Sequence, residues 1–85
     1  MNYKHHVTNN TLRETRLSLK LRQQDVADAL GLQMSDRISH WENGQALPSI
    51  INLFRLCRIY KKQPHELYPV LYKQIASEKM AVPGK

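Results

Sequence analysis

The chain of 85 residues is short of the materials on which many functions are built. It has one cysteine, Cys57, so no internal disulfide framework can form. A reducing cytosol is the setting expected for such a chain. No stretch approaches the ~20 apolar residues needed to span a bilayer. The opening MNYKHHVTNN carries no apolar core of a secretory leader, which again points to the cytoplasm. No glycine-rich phosphate loop is present. His5, His6, His40 and His65 include no pair at ligand spacing on one helix, and no second cysteine could complete a zinc site. Cys57 has no base beside it, and no acid pair suggests general acid–base work. Neither an enzyme nor a metal or cofactor is expected. Acidic residues are also scarce: seven Asp and Glu stand against thirteen Lys and Arg, a formal net charge of +6. Such a surplus draws polyanions, nucleic acid first. The basic residues are spread along the chain rather than blocked together, which suits a folded surface better than a disordered arm.

What is present is helical spacing. Residues 1–9 are polar and aperiodic and read as a flexible arm. Asn9, Asn10 and Thr11 are candidate caps for a first helix, in which Leu12, Thr15, Arg16 and Leu19 share one face. An arginine on an inner face is out of place and needs a partner. QQDVADAL, residues 23–30, reads as a second helix with Val26, Ala27 and Leu30 inward, ended by Gly31 at positive φ. A third runs from Ser35 to about Glu42 and stops at Asn43-Gly44. Ser49 caps a fourth, Ile50 to Tyr60, which offers Ile50, Leu53, Phe54, Leu56, Cys57 and Tyr60 to the core. Gln63-Pro64 opens a short fifth helix broken at Pro69. The tail after it, VLYKQIASEKM, is able to form one more helix before a frayed end. No strand-like alternation is long enough to count. The expected fold is a compact all-α bundle of five helices, with room for an extra C-terminal one.

The third helix carries the chemistry. In SDRISHWENG, residues 35–44, only Ile38 and Trp41 are apolar. A helix that merely filled space would have a wider apolar stripe. Ser35, Asp36, Arg37, Ser39 and His40 therefore face outward, toward something polar. Two short helices joined through a glycine turn form the helix-turn-helix pattern, whose second helix enters the DNA major groove. By that geometry the five outward residues are candidate base contacts. Arg37 suits guanine O6 and N7, and Asp36 suits cytosine N4 or a capping role.

The pieces LRETR, LRQQDVADALGL, ISHWENG, LPS and PHELYP occur in one order between Leu12 and Pro69. Together they resemble the phage repressor/Cro-type (XRE-like) helix-turn-helix regulators. The resemblance implies a repressor-like DNA-binding domain over residues 10–68. It implies that Gln23 holds a phosphate and braces the recognition helix, and that Asn43 and Gly44 mark a corner where backbone N–H groups approach a phosphate. It also gives Arg16 its partner, a structural ion pair with Glu42.

This sequence departs from the family pattern in three places. Gly31 and Ile38 are seven steps apart, one more than the usual spacing, so either Met34 or Ser35 caps the third helix. Lys20 and Arg22 stand where the family often has Gly and then Ser or Thr. A positive φ at Lys20 would be mildly strained, while Arg22 adds a candidate phosphate contact. Thr15 replaces an apolar residue. Arg55, Arg58, Lys61 and Lys62 read as a solvated face. Residues 69–85 form an extension that either covers the chain's own core or pairs with a second copy through Leu67, Tyr68, Val70, Leu71, Tyr72 and Ile75. The expected function is a sequence-specific double-stranded DNA-binding regulator, a homodimeric repressor acting at an operator. The alternative is an antitoxin-like module whose partner is a toxin or another protein, with DNA binding secondary.

Overall fold

A computed structural model describes residues 9–82. Of the arm expected over residues 1–9, only Asn9 is among them. Six helices follow one another: α1 (Leu12–Ser18), α2 (Gln23–Ala29), α3 (Asp36–Glu42), α4 (Ile50–Tyr60), α5 (Pro64–Leu67) and α6 (Pro69–Ala76). The described residues contain no strand.

The helix starts follow from local chemistry. Of the three cap candidates before α1, Asn10 makes the bond: its Oδ1 accepts from the Leu12 N–H at 3.0 Å. Its Nδ2 donates to the Trp41 carbonyl at 3.0 Å, tying the start of α1 to α3. Thr11 instead reaches α5, its hydroxyl donating to the Glu66 carbonyl at 2.8 Å. Ser49 caps α4 by accepting from the Asn52 N–H. Gln63 precedes α5, and its N–H donates to Glu66 at 2.9 Å, with Pro64 in the first helical position. Pro69 does not only break α5. It opens α6 one residue later, because a fixed φ and a missing N–H cost nothing in a first helical turn.

The first four helices end with one device. After α2, the Gly31 N–H donates to the Asp28 carbonyl and the Leu32 N–H to the Ala27 carbonyl. After α3, Gly44 and Gln45 bond in the same way to Trp41 and His40, and after α1 Lys20 and Leu21 to Leu17 and Arg16. This is the Schellman pair of bonds, which needs a left-handed residue just past the helix. Gly31 and Gly44 supply it at φ 76° and 74°, and Lys20 does so at 59°. Lys61, at φ 56°, ends α4 likewise, with Lys62 donating to Cys57. Two lysines therefore occupy a conformation that glycine adopts without steric cost.

Leu12, Val26, Ala27, Leu30, Ile38, Trp41, Leu56, Tyr60, Leu67 and Tyr68 form the core. Several expected core residues are not in it. Leu19 follows the last turn of α1 and is exposed, and Ile50 and Phe54 are 67% and 60% exposed. The inward stripe of α4 runs through Leu53, Leu56, Cys57 and Tyr60, and at 3.6 residues per turn Phe54 lies roughly 100° round from its centre. Burial among those neighbours raises the Cys57 thiol pKa.

Candidate nucleic-acid interface

The inner side of α3 is fixed by an ion pair. Arg16 Nε donates to Glu42 Oε2 at 2.6 Å and Nη2 to Oε1 at 3.1 Å, a bidentate fork. The two side chains are 8% and 2% exposed. Arg16 Nη1 also donates to the Leu21 carbonyl at 2.9 Å, so one guanidinium holds the α1–α2 turn and the end of α3 together. The hydrogen bond to Glu42 raises the Arg16 pKa against the opposing cost of burial. A buried pair of this kind survives only with good geometry and further hydrogen bonds. Gln23 provides one more, its Nε2 donating to Glu42 Oε1 at 3.1 Å. The carboxylate at the end of α3 is thereby bound from α1 and from α2. Ile38 and Trp41, 1% and 4% exposed, seat the same face against the core.

The opposite face of α3 is open. Asp36, Arg37 and His40 are exposed, and Ser35 and Ser39 are half-buried. The longer turn resolves in favour of Ser35, which takes the position ahead of α3 and accepts the Ser39 N–H on its backbone carbonyl. Its side chain makes no capping bond. Arg37 and His40 border a depression with Ala46, Leu47, Ser49 and Asn52, while Arg37 and Asp36 border another with Met34.

The candidate phosphate contacts differ in how committed they are. Arg22 is exposed but forked onto Asp25, with Nη2 to Oδ1 at 2.8 Å. That partner raises the Arg22 pKa and depresses that of Asp25. Asp25 Oδ2 also accepts the Arg22 N–H at 2.7 Å, closing the start of α2. Gln23 has one amide hydrogen in the Glu42 brace and carries a second on the same nitrogen. At the α3 corner the backbone donors are spent: Asn43 N–H bonds Ser39 and Gly44 N–H bonds Trp41. What that corner offers outward is the exposed Asn43 side chain, which makes a long 3.4 Å bond to Ser39 Oγ.

Two positioning contacts escaped the sequence reading. Asn10, expected only as a cap, also ties α1 to the Trp41 carbonyl. Gln24 makes the other: its Nε2 donates to Asp28 Oδ1 at 2.8 Å and to the Gln33 carbonyl at 3.3 Å, pinning the long turn to α2. The Gln24–Asp28 spacing is visible in the sequence, but the reach to residue 33 depends on how the extra turn residue is accommodated.

No curated protein matches the chain at a significant level. The sequence profile of a helix-turn-helix family matches residues 12–67, about two thirds of the chain. That span starts with α1 and ends with α5, and it encloses both the α2–α3 pair and the brace behind it. The chain belongs to the XRE-like helix-turn-helix family of DNA-binding regulators.

Proposed function

We propose that the protein is a sequence-specific double-stranded DNA-binding repressor that reads the major groove with α3. The observation that carries this is the division of α3 into two faces. One is locked by Ile38, Trp41 and the Arg16–Glu42–Gln23 network, and the other presents Asp36, Arg37 and His40, with Ser35 and Ser39 beside them. Rigid placement of short polar side chains is what hydrogen bonding to base edges requires. Arg22, Gln23 and Asn43 supply phosphate contacts around this helix. Gly44 contributes by shaping the corner rather than by donating. The place of action that goes with this reading is the cytoplasm.

A single α3 covers one half-site, so the reading includes a homodimer on a two-fold operator. The contact surface expected from the sequence needs correction. Leu67 and Tyr68 are 0% and 6% exposed because they belong to the core of one chain, with α4 packed on α5 and the Leu67 carbonyl accepting the Thr11 N–H. Val70, Tyr72 and Ile75 remain outward on α6, with Leu71 partly buried. Leu71, Tyr72 and Ile75 line a groove of about 230 Å³ together with Leu47, Pro48, Leu53 and Pro64. The same apolar surface favours a second reading, an antitoxin-like module that covers another protein.

Selection of bound duplexes from a random pool, with stoichiometry measured on the winner, separates these readings. A palindrome bound two-to-one supports the dimeric repressor. Absence of any preferred duplex overturns it. On the selected site, Arg37→Ala is expected to cost ~1–3 kcal/mol and relax one base position. A loss of affinity equal for all sequences would make Arg37 a phosphate contact.

A further inference from the structure

Met34 is the one large apolar side chain exposed in the turn that delivers α3. It is 64% exposed. The residues around it are held in place. Leu32 packs against the core, and its N–H bonds Ala27 at 2.8 Å. Gln24 holds the Gln33 carbonyl, and Ser35 accepts the first bond of α3. The long turn is thus pinned on both sides of Met34 while its thioether chain has no seat in the fold. Met34 lines an open depression together with Asp36 and Arg37, so it borders the outward row of α3.

On a surface meant to meet bases, a flexible apolar chain beside Asp36 and Arg37 has a specific use. The major groove displays one apolar group, the C5-methyl of a pyrimidine. We infer that Met34 is a specificity-determining residue that packs on a pyrimidine C5-methyl group next to the base pairs read by Asp36 and Arg37. Thymine carries that methyl in ordinary DNA, and 5-methylcytosine presents it at the same place. Methionine suits such a contact because its unbranched chain adapts to the position of the methyl. Burial of one methyl group corresponds to about a fourfold change in affinity.

The inference rests on the DNA-reading function proposed above, and its test is arranged to fail separately. In the selected duplex, each thymine is replaced singly by deoxyuridine, which removes only the methyl, and each cytosine by 5-methylcytosine, which adds one. Wild-type protein is expected to lose about three- to fivefold at one thymine per half-site, or to gain as much at one methylated cytosine. The first outcome assigns thymine as the source and the second 5-methylcytosine. Met34→Gln, of similar length but polar, abolishes that difference, whereas Met34→Leu retains it. Because the side chain is exposed, both variants are expected to melt as wild type does. If a duplex is selected but no methyl change matters, or Met34→Gln keeps the effect, the inference is overturned and the DNA-reading function stands. If no duplex is preferred over random DNA, both fall.

Discussion

The two ends of the molecule finish their surfaces in opposite ways. In the α1–α3 half, a small apolar core is reinforced by a buried arginine–carboxylate pair, and the outward face of α3 itself is polar. The α4–α6 half leaves large apolar side chains outward among its basic ones: Ile50, Ile51 and Phe54 are at least 60% exposed beside Arg55 and Arg58, and α6 contributes no fully buried residue. The first half places its ionic interaction behind the surface proposed to read DNA. The second leaves hydrocarbon in water, and a contiguous apolar patch of this kind marks a surface for association. The difference says where each proposed interaction is to be sought, polar recognition on α3 and association around α4 and α6.

The largest effect that can break this contrast is removal of the brace. Arg16→Ala leaves the Glu42 carboxylate buried with only Gln23, and a loss of ~3–5 kcal/mol is expected. For an 85-residue chain that is a large share of a total stability of roughly 5–10 kcal/mol. Urea unfolding measures it. Replacing both partners, Arg16→Met with Glu42→Leu, is expected to recover most of the loss, since an apolar pair removes the stranded charge. A loss below about 1 kcal/mol in the single variant would mean that α3 is held by its apolar contacts alone, and the two halves would no longer differ in kind.

The brace was legible in outline, because Arg16 falls on a face where only a partnered arginine is tolerable and the family resemblance named Glu42. Its details were not. The resemblance named Gln23 as a brace without saying that its amide reaches Glu42, nineteen residues on, and Asn10 reaches Trp41 across thirty-one. Periodicity within a helix carries no information about such reach. The helix ends were legible where glycine marks them and at Lys20, which stands where the family often has glycine, and invisible at Lys61, which takes the same conformation. The misplaced core residues share one physical cause. Leu19, Ile50 and Phe54 lie at the margin of an apolar stripe, and only the position of neighbouring helices decides which side of the margin is covered. For the same reason, Leu67 and Tyr68 passed for association surface when they close the core.

Two tyrosines sharpen the comparison at high pH. Tyr60 lies behind the brace and Tyr68 in the α5–α6 junction. Both are buried, and both hydroxyls lack a hydrogen-bond partner among the described residues. Burial pushes each pKa up to about 12; for Tyr60 the Glu42 carboxylate adds to this and Arg16 opposes it. A tyrosine in the unfolded chain ionises near 10. The raised folded value means that the neutral form stabilises the fold fully below about pH 10, and that this stability is lost as pH rises from 10 to 12. Each tyrosine is worth roughly 2–3 kcal/mol over that interval, at 1.36 kcal/mol per pH unit. Tyr60→Phe and Tyr68→Phe are each expected to remove part of the alkaline loss, and the double variant most of it, in denaturation series at pH 8 and 11. A loss unchanged by Tyr68→Phe would place alkaline sensitivity in the braced half alone.

The smallest effect compares like with like. Lys20 and Lys61 end helices in the two halves with the same left-handed residue, at φ 59° and 56°. That conformation costs a residue with a side chain ~1–2 kcal/mol, while glycine, free of the clash, loses roughly 0.5–1 kcal/mol in backbone entropy on folding. The balance favours glycine, so Lys20→Gly and Lys61→Gly should each raise stability by about 0.5–1 kcal/mol, or a few degrees in melting temperature. Both lysines are exposed, and neither makes an ion pair within 4.0 Å among the described residues, so nothing else should be lost. Equal gains would show that the same backbone cost is carried at both ends of the molecule. A gain at one site with a loss at the other would show that one lysine offsets its strain by contacts of its own, and would locate the half in which it does so.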